Sequence, residues 1–490
     1  MSVVSNAGPE GTALGVPGFA RLSRDSIVYA LGSVAGKAIA ILLLPFMTRL
    51  MTPEEYGRFD LLSTLGSAGI SVLLLGLSVA VTRLALDPSV PDGERPRLIG
   101  SWFAIEAVVL LPSAALIVIA GPTISYALFG PEAPVQGVQL VSLILVGGTI
   151  HYMVLTILRI QQRAPAFTAL TIGTLALNAL LAIALLLGWM RDELAPLLAY
   201  GVSLAVGAVF GLFMIGRSWF ARPQWQSSRR LLHLGLPLVP ALTATWLAEF
   251  ANRMVLNGSA GAAELGFYSV ALRFASVASL VVAGFQLAWQ PRAFALGSGK
   301  EALRQTAADG HRILVVVCTT IVVLAVASPE YVRVVSGPAF ISSLPALGLS
   351  LCGVLATAGY LVTSMPSALA GRFRDIGISG TVGVGVGFAL NVLLAPTVGS
   401  VGTAFAITVG QLVATVLVWH MGRGSVVLPL PWRRIVAVGV LASWIAIAST
   451  LPEGGALLAV RVVFLIAFAS VLWFDGSLRH VVGWIRSLRP

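Results

Sequence analysis

Polar positions along the chain are sparse and gather between apolar runs of about the length that crosses a bilayer, ~20 residues. Such runs extend from Ile27 to Met47, Leu61 to Val81, Leu98 to Ala120, Val138 to Leu158, Ala166 to Trp189 and Leu194 to Ile215. A polar, arginine-bearing connection from Arg217 to His233 follows. Six more runs lie near Leu234 to Leu256, Phe267 to Trp289, Ile313 to Ser328, Phe340 to Met365, Ile376 to Ala395 and Val401 to His420, and two others, Ile435 to Leu451 and Ala456 to Phe474, close the chain. The pattern predicts an all-α polytopic membrane protein of about 14 transmembrane helices, grouped six, six and two.

Composition agrees: of 490 residues 57% are apolar and 10% charged, and the mean hydropathy of +0.92 excludes an ordinary soluble domain. The net charge of +11 would raise nucleic acid as a partner in a soluble protein. Here the basic residues sit at the ends of apolar runs, where they set topology, so no nucleic-acid partner is expected. With the N-terminus in the cytoplasm, 23 of the 31 Lys and Arg residues fall on cytoplasmic segments and span ends. Five (Arg49, Arg58, Arg191, Arg253, Arg333) fall on the opposite side, and Lys37, Arg273 and Arg461 lie within spans. This bias predicts both termini in the cytoplasm. Cys318 and Cys352 are isolated in apolar stretches, which excludes a disulfide framework or a cysteine metal cluster. Met1 to Ala20 lacks a basic region followed by an apolar core, so the first span is expected to target the chain.

The two six-span blocks resemble each other. Leu175-Ala176-Leu177-Asn178-Ala179-Leu180-Leu181-Ala182 returns as Phe388-Ala389-Leu390-Asn391-Val392-Leu393-Leu394-Ala395, six of eight positions identical at a shift of 213, which also superposes Arg159 on Arg372. Glu55-Tyr56-Gly57 matches Glu264-Leu265-Gly266, and Arg83 matches Arg292, both at a shift of 209; Arg49 matches Arg253 at 204. An even number of spans per repeat preserves direction, so the halves are expected to be parallel, pseudo-symmetric six-helix lobes. The division read from this is a cytoplasmic tail (1–25), an N-lobe (26–216), a cytoplasmic linker (217–233), a C-lobe (234–421), a final helix pair (422–475) and a second cytoplasmic tail (476–490).

Two such lobes facing a cavity form a plan for alternating access, in which a central site opens to each side in turn. The longest external connection, near Gly121 to Gly137, carries one acid, Glu132, and no Lys or Arg. No phosphate-binding loop or metal-ligand cluster is present, so catalysis and a metal or organic cofactor are not expected.

The stretch Leu44-Pro45-Phe46-Met47-Thr48-Arg49-Leu50-Met51-Thr52-Pro53-Glu54-Glu55-Tyr56-Gly57-Arg58-Phe59-Asp60, followed by Leu75-Gly76-Leu77 and Arg83, resembles the first hairpin of bacterial polysaccharide transporters. These are oligosaccharide-lipid flippases of the multidrug/oligosaccharidyl-lipid/polysaccharide exporter superfamily. The span count, parallel lobes and final helix pair are similar over the whole chain. The resemblance implies an undecaprenyl-diphosphate-linked oligosaccharide as substrate, turned from the cytoplasmic to the outer leaflet of a bacterial inner membrane. The arginine motifs of the lipid II flippase branch are not matched.

Ionisable groups in hydrocarbon cost upward of ~2.5 kcal/mol at mid-span, so each needs a partner, a wet cavity or an escape to the interface. Lys37, flanked by Gly32, Ser33 and Gly36, and Arg273 are candidate cavity cations for a diphosphate. The repeat-related Arg49 and Arg253 are expected near the external span ends and could receive the diphosphate after transit. Arg83 and Arg292 are candidate contacts of a cytoplasmic gate. Glu106 and Glu249 are read as the carboxylates inside spans and, with His151, as candidates for proton or sodium coupling. Glu249 also stands four residues before Arg253, the spacing of a local ion pair. Glu106 has no cation within a turn, so its partner is sought on another helix, with Lys37 matched in depth.

Arg461 is read as snorkelling to external headgroups. Asn178 and Asn391, one per repeat, suit helix–helix hydrogen bonds, with sugar contact as the alternative. Gln286, Trp289 and Gln290 could stack on and hydrogen-bond a glycan. A flippase of this kind would work alongside membrane lipids, glycosyltransferases and a glycan polymerase. The rival readings are a multidrug/cation antiporter of the same superfamily and a membrane-embedded glycan polymerase or ligase.

Overall fold

A computed structural model describes residues 35–474 except 37, 88, 132, 133, 189, 425 and 451–456. The described residues are helical throughout, without strands. The first helices are α1 (Ala38–Leu50), α2 (Pro53–Leu73), α3 (Leu77–Ala85), α4 (Arg95–Ile119), the short α5 (Gly121–Phe129), α6 (Val135–Ile160), α7 (Ala164–Gly188) and α8 (Leu194–Ile215). Then follow α9 (Trp225–Gly235), α10 (Val239–Ala260), α11 (Ala262–Leu296), α12 (Lys300–Ser336), α13 (Leu344–Leu369), α14 (Phe373–Gly422), α15 (Trp432–Thr450) and α16 (Leu457–Phe474). Among the described residues nine helices are long and apolar enough to cross a membrane, or eleven when each of two bent pairs is one span. The protein is a multi-pass membrane protein.

Three departures from the apolar runs have local causes. The second run is two helices, α2 and α3, bent by 47°, because Leu75 and Gly76 both take positive φ (47° and 67°). The eleventh and twelfth runs form the single 50-residue α14, interrupted at Gly399 (φ 61°). Its two halves pack against each other antiparallel, Gly383 beside the Gly410 carbonyl and Gly402 beside that of Leu394. Glu264 holds the reversal, accepting from the Ser400 amide (2.8 Å) and hydroxyl (2.5 Å). The expected external connection after Ala120 folds as α5, and the Asn257 amide of α10 donates to the Leu128 carbonyl at its end (2.6 Å).

At 1.5 Å per residue α11 and α12 are about 52 and 55 Å long, well beyond a ~30 Å hydrocarbon core. They outrun the predicted spans at both ends, and further on the face assigned to the cytoplasm. The arginine-bearing connection is also helical. Its helix α9 turns Leu231 fully into an apolar cluster with Leu77 and Trp102. It is tied to the first half by Arg230–Glu94 (3.6 Å) and by the Ala221 amide donating to the Pro96 carbonyl (3.2 Å).

The repeat relation becomes a physical contact where α2 meets α11. A side chain at Gly57 would strike the Ala262 carbonyl (1.9 Å from the added Cβ), and one at Gly266 would strike the Pro53 carbonyl (2.0 Å). Since 57 + 209 = 266 and 53 + 209 = 262, these are the same contact made twice about a pseudo-two-fold axis. Only glycine allows the two backbones to come this close. The helices α15 and α16 lie outside this pair, packed on α12 and α13, with an apolar cluster around Cys318, Val322, Ala442 and Phe468.

Candidate functional site

Helix α2 starts with a capping box. The Glu55 amide donates to the Thr52 hydroxyl (3.3 Å) and the Thr52 amide to the Glu55 carboxylate (2.7 Å), with Pro53 in the first turn. This start puts Tyr56, Asp60, Ser63, Thr64 and Ser67 on one face, at i, i+4, i+7, i+8 and i+11. Facing them are Ser269, Arg273 and Ser276 of α11 and Trp246, Glu249 and Arg253 of α10. Asn178 of α7, Tyr200 of α8 and apolar residues of α1 complete the wall of a cavity of about 470 Å³.

At its head is a cluster drawn from both halves. The Arg253 Nε donates to Asp60 Oδ2 at 2.8 Å, and the Ser269 hydroxyl donates to the same oxygen at 2.7 Å. Both side chains of the ion pair are withdrawn from solvent, Asp60 at 7% and Arg253 at 13% exposure. Arg253 also approaches Glu249, 3.8 Å away and half exposed. Arg273 lies beside the Tyr56 hydroxyl and within Coulombic reach of Asp60. Beyond this cluster toward the α2–α3 bend, a second hollow of about 280 Å³ continues from Ser67 and Trp246 to Leu242 and Ser78. On the other side, toward the expected outer face, lies the glycine contact of α2 with α11.

The structure brings Arg273, Arg253 and Glu249 together at this cavity. Arg253 lies seven residues inside α10, not at a span end, and its main partner is Asp60 on the other half rather than Glu249. Arg49, its repeat counterpart, is exposed, and its guanidinium donates to the Val334 carbonyl of α12. Lys37 lies outside the described residues. Glu106 is buried and accepts a hydrogen bond from the Trp102 indole one turn earlier (3.0 Å). His151 is buried against Gly207 of α8 and Thr174 of α7, so it faces a helix interface and not the cavity. Arg292 pairs with Asp309 of its own half (3.3 Å), and Arg83 is exposed at the end of α3.

Arg461 does not snorkel: it pairs with Glu330 of α12 at 2.9 Å, which fastens α16 to α12. Asn391 binds Asn252 of α10 (3.0 Å), whereas its counterpart Asn178 lines the cavity. Trp289 is buried against Phe285 and Gly310, away from Gln286 and Gln290. Asp60 is the site residue that sequence reading missed. It precedes the apolar run that begins at Leu61, and its signal was the repeat itself, which at a shift of 209 sets an acid opposite Ser269.

Chemically, the cluster offers guanidinium donors that stay protonated under all conditions. The carboxylates Asp60 and Glu249 stand beside them as counter-charges. A cavity with charged walls between two parallel, rotation-related halves of a helical membrane protein is an arrangement that alternating-access transporters share.

The family described as polysaccharide biosynthesis protein matches residues 22–296, more than half of the chain, and the protein belongs to it. A lipid II flippase MurJ in an inward closed conformation has the same fold, with a TM-score of 0.69 at 12% identity over 94% of this chain and 99% of that one. An inward-facing multidrug resistance MATE family transporter of the MOP superfamily superposes with a TM-score of 0.59 at 18% identity, over 85% and 98%. The probable multidrug resistance protein NorM of Rhizobium meliloti is 34% identical over 157 residues, 28% of this chain and 32% of that protein. The chain thus spans about a third of that relative's length.

Proposed function

We propose that the protein is a flippase that moves an undecaprenyl-diphosphate-linked oligosaccharide from the cytoplasmic to the outer leaflet of a bacterial inner membrane, for cell-surface polysaccharide biosynthesis. The observation that carries this reading is the pair Arg253 and Arg273 in a cavity between the two halves. A diphosphate entering a low-dielectric space needs fixed cations at close range. The prenyl chain stays in lipid while the headgroup crosses. Membership of the polysaccharide biosynthesis family supports the same substrate class. Glycosyltransferases would supply the loaded lipid on the cytoplasmic side, and a polymerase would consume it outside. No step of bond making is assigned to the protein.

Lys37, which precedes α1 in the sequence, is proposed as a third cation. Glu249, half exposed beside Arg253, is the preferred carrier of a coupling proton or sodium ion, since substrate phosphate and carboxylate would compete for one guanidinium. The test is reconstitution into proteoliposomes with fluorescent undecaprenyl-diphosphate oligosaccharide and a membrane-impermeant oxidant. Protein-dependent exposure of inner-leaflet glycan supports the reading, and its absence in sealed vesicles that hold correctly folded protein removes it.

The stretch shared with a probable multidrug resistance protein favours a second reading, export of lipophilic cations. The cavity argues against it, because Asp60 and Glu249 are balanced by Arg253 and Arg273. Ethidium efflux from cells expressing the protein separates the two.

A further inference from the structure

A third hollow, of about 320 Å³, opens between α11, α13 and the first half of α14. Its character differs from that of the central cavity. Among its lining residues there is no carboxylate, ammonium, guanidinium or imidazole. Its polar side chains include two amides, Gln286 and Gln290, one turn apart on α11 and therefore on one face.

The hydroxyls in the wall are already engaged. Tyr360 donates to the Ile376 carbonyl (2.7 Å), Ser364 to Leu361 (3.1 Å) and Thr357 to Gly353 (3.0 Å). Neither glutamine side chain has a hydrogen-bond partner among the described residues. Both amides keep their donors and acceptors for whatever enters. Phe294 and Phe373, 48% and 63% exposed, supply aromatic surface beside them. Gln286 stands 19 residues past Phe267, where the apolar run begins, about 29 Å along α11 and near the far edge of a ~30 Å hydrocarbon core.

We propose that this hollow binds an uncharged sugar of the glycan while the diphosphate is held by Arg253 and Arg273. Paired amides with aromatic faces and no charge suit a hydroxyl-rich, neutral ligand. They disfavour a hydrocarbon tail, against which the amides would lose hydration without return. The two sites are joined by α11 and lie apart: from Arg273 to Gln286 is thirteen residues, about 20 Å of helix. A lipid carrying one sugar falls short of that span, and a lipid carrying several reaches it. The inference rests on the flippase reading and adds a preference for glycan length.

The experiment uses the full chain in proteoliposomes with two synthetic substrates, undecaprenyl-diphosphate bearing one neutral sugar and the same lipid bearing five. The double variant Gln286→Leu/Gln290→Leu keeps side-chain volume and removes the amides. It should lose about tenfold in flipping rate on the five-sugar lipid, as expected from two lost hydrogen bonds, and keep its rate on the one-sugar lipid. Gln286→Asn/Gln290→Asn should recover part of the loss. Equal rates of wild type and the leucine variant on both lipids overturn the proposal, as does an equal loss on both, which would mark a structural role. A faster leucine variant would assign the hollow to a hydrocarbon chain instead. If wild type moves neither lipid, the flippase reading itself fails.

Discussion

Asp60 and Ser269 are 209 residues apart, the offset that relates the two repeats, and they are hydrogen-bonded to each other at 2.7 Å. Equivalent positions of a repeat touch only on the pseudo-symmetry axis, so this pair marks the axis. Evolution of the two copies has broken the symmetry there, with a carboxylate on one side and a hydroxyl on the other. The asymmetry lets one half provide the anion and the other the arginines.

Removing the anion should therefore be felt by both halves. Breaking a buried ion pair from one side costs about 3–5 kcal/mol. Asp60→Asn should lower the melting temperature of the purified protein by several degrees, and adding Arg253→Gln should restore part of it. Additive losses in this double-mutant cycle would mean that the pair is not coupled.

The glycine contact should act as a seal. Gly57→Val places atoms where the Ala262 carbonyl stands, so α2 and α11 must part. Ser269→Cys, buried in the parent structure, should then react with an impermeant maleimide added from the outer face, several times faster than without the valine. No change in labelling would place the seal elsewhere.

Orientation can be read from two exposed positions, Pro396 in α14 just before the Gly399 break and Ser298 between α11 and α12. The native Cys318 and Cys352 are buried and give a low background. Pro396→Cys should label in intact cells, whereas Ser298→Cys should label only after the membrane is opened. Labelling of Ser298→Cys in sealed cells would reverse the assignment of faces.

The two in-span glutamates should behave differently although both are acids in apolar helices. Glu249→Gln, at the cavity wall, should abolish the dependence of transport on a pH or sodium gradient. Glu106→Gln, hydrogen-bonded to Trp102 and away from the cavity, should leave that dependence intact. Gradient dependence that survives Glu249→Gln would remove it as the carrier.

The helices and their order were legible because apolar runs of spanning length have few other uses. What stayed hidden was pairing over distance. Asp60 reads as the polar edge of a span until Arg253 and Ser269, brought in from the other half, bury it. Arg49 and Arg253 align in sequence and diverge in structure, since one meets a backbone carbonyl of α12 and the other a carboxylate. Glu106 was matched with a cation on another helix by depth alone, and the Trp102 indole four residues away, which holds one of its oxygens, gave no signal in the pattern of charges. Gln286, Trp289 and Gln290 are neighbours in sequence, but helical geometry sends the tryptophan to α12 and the glutamines to a separate hollow.

The docking of α9 has a mechanical consequence. With that helix fastened to α3 and α4, the connection between the halves is not a 17-residue leash; only Leu236–Leu238 separate it from α10. Three residues reach about 10 Å at full extension. The second half is thus joined to the first by a short link beside a docked helix, so the rocking that the proposed alternating access calls for would be a pivot about that edge rather than a drifting apart.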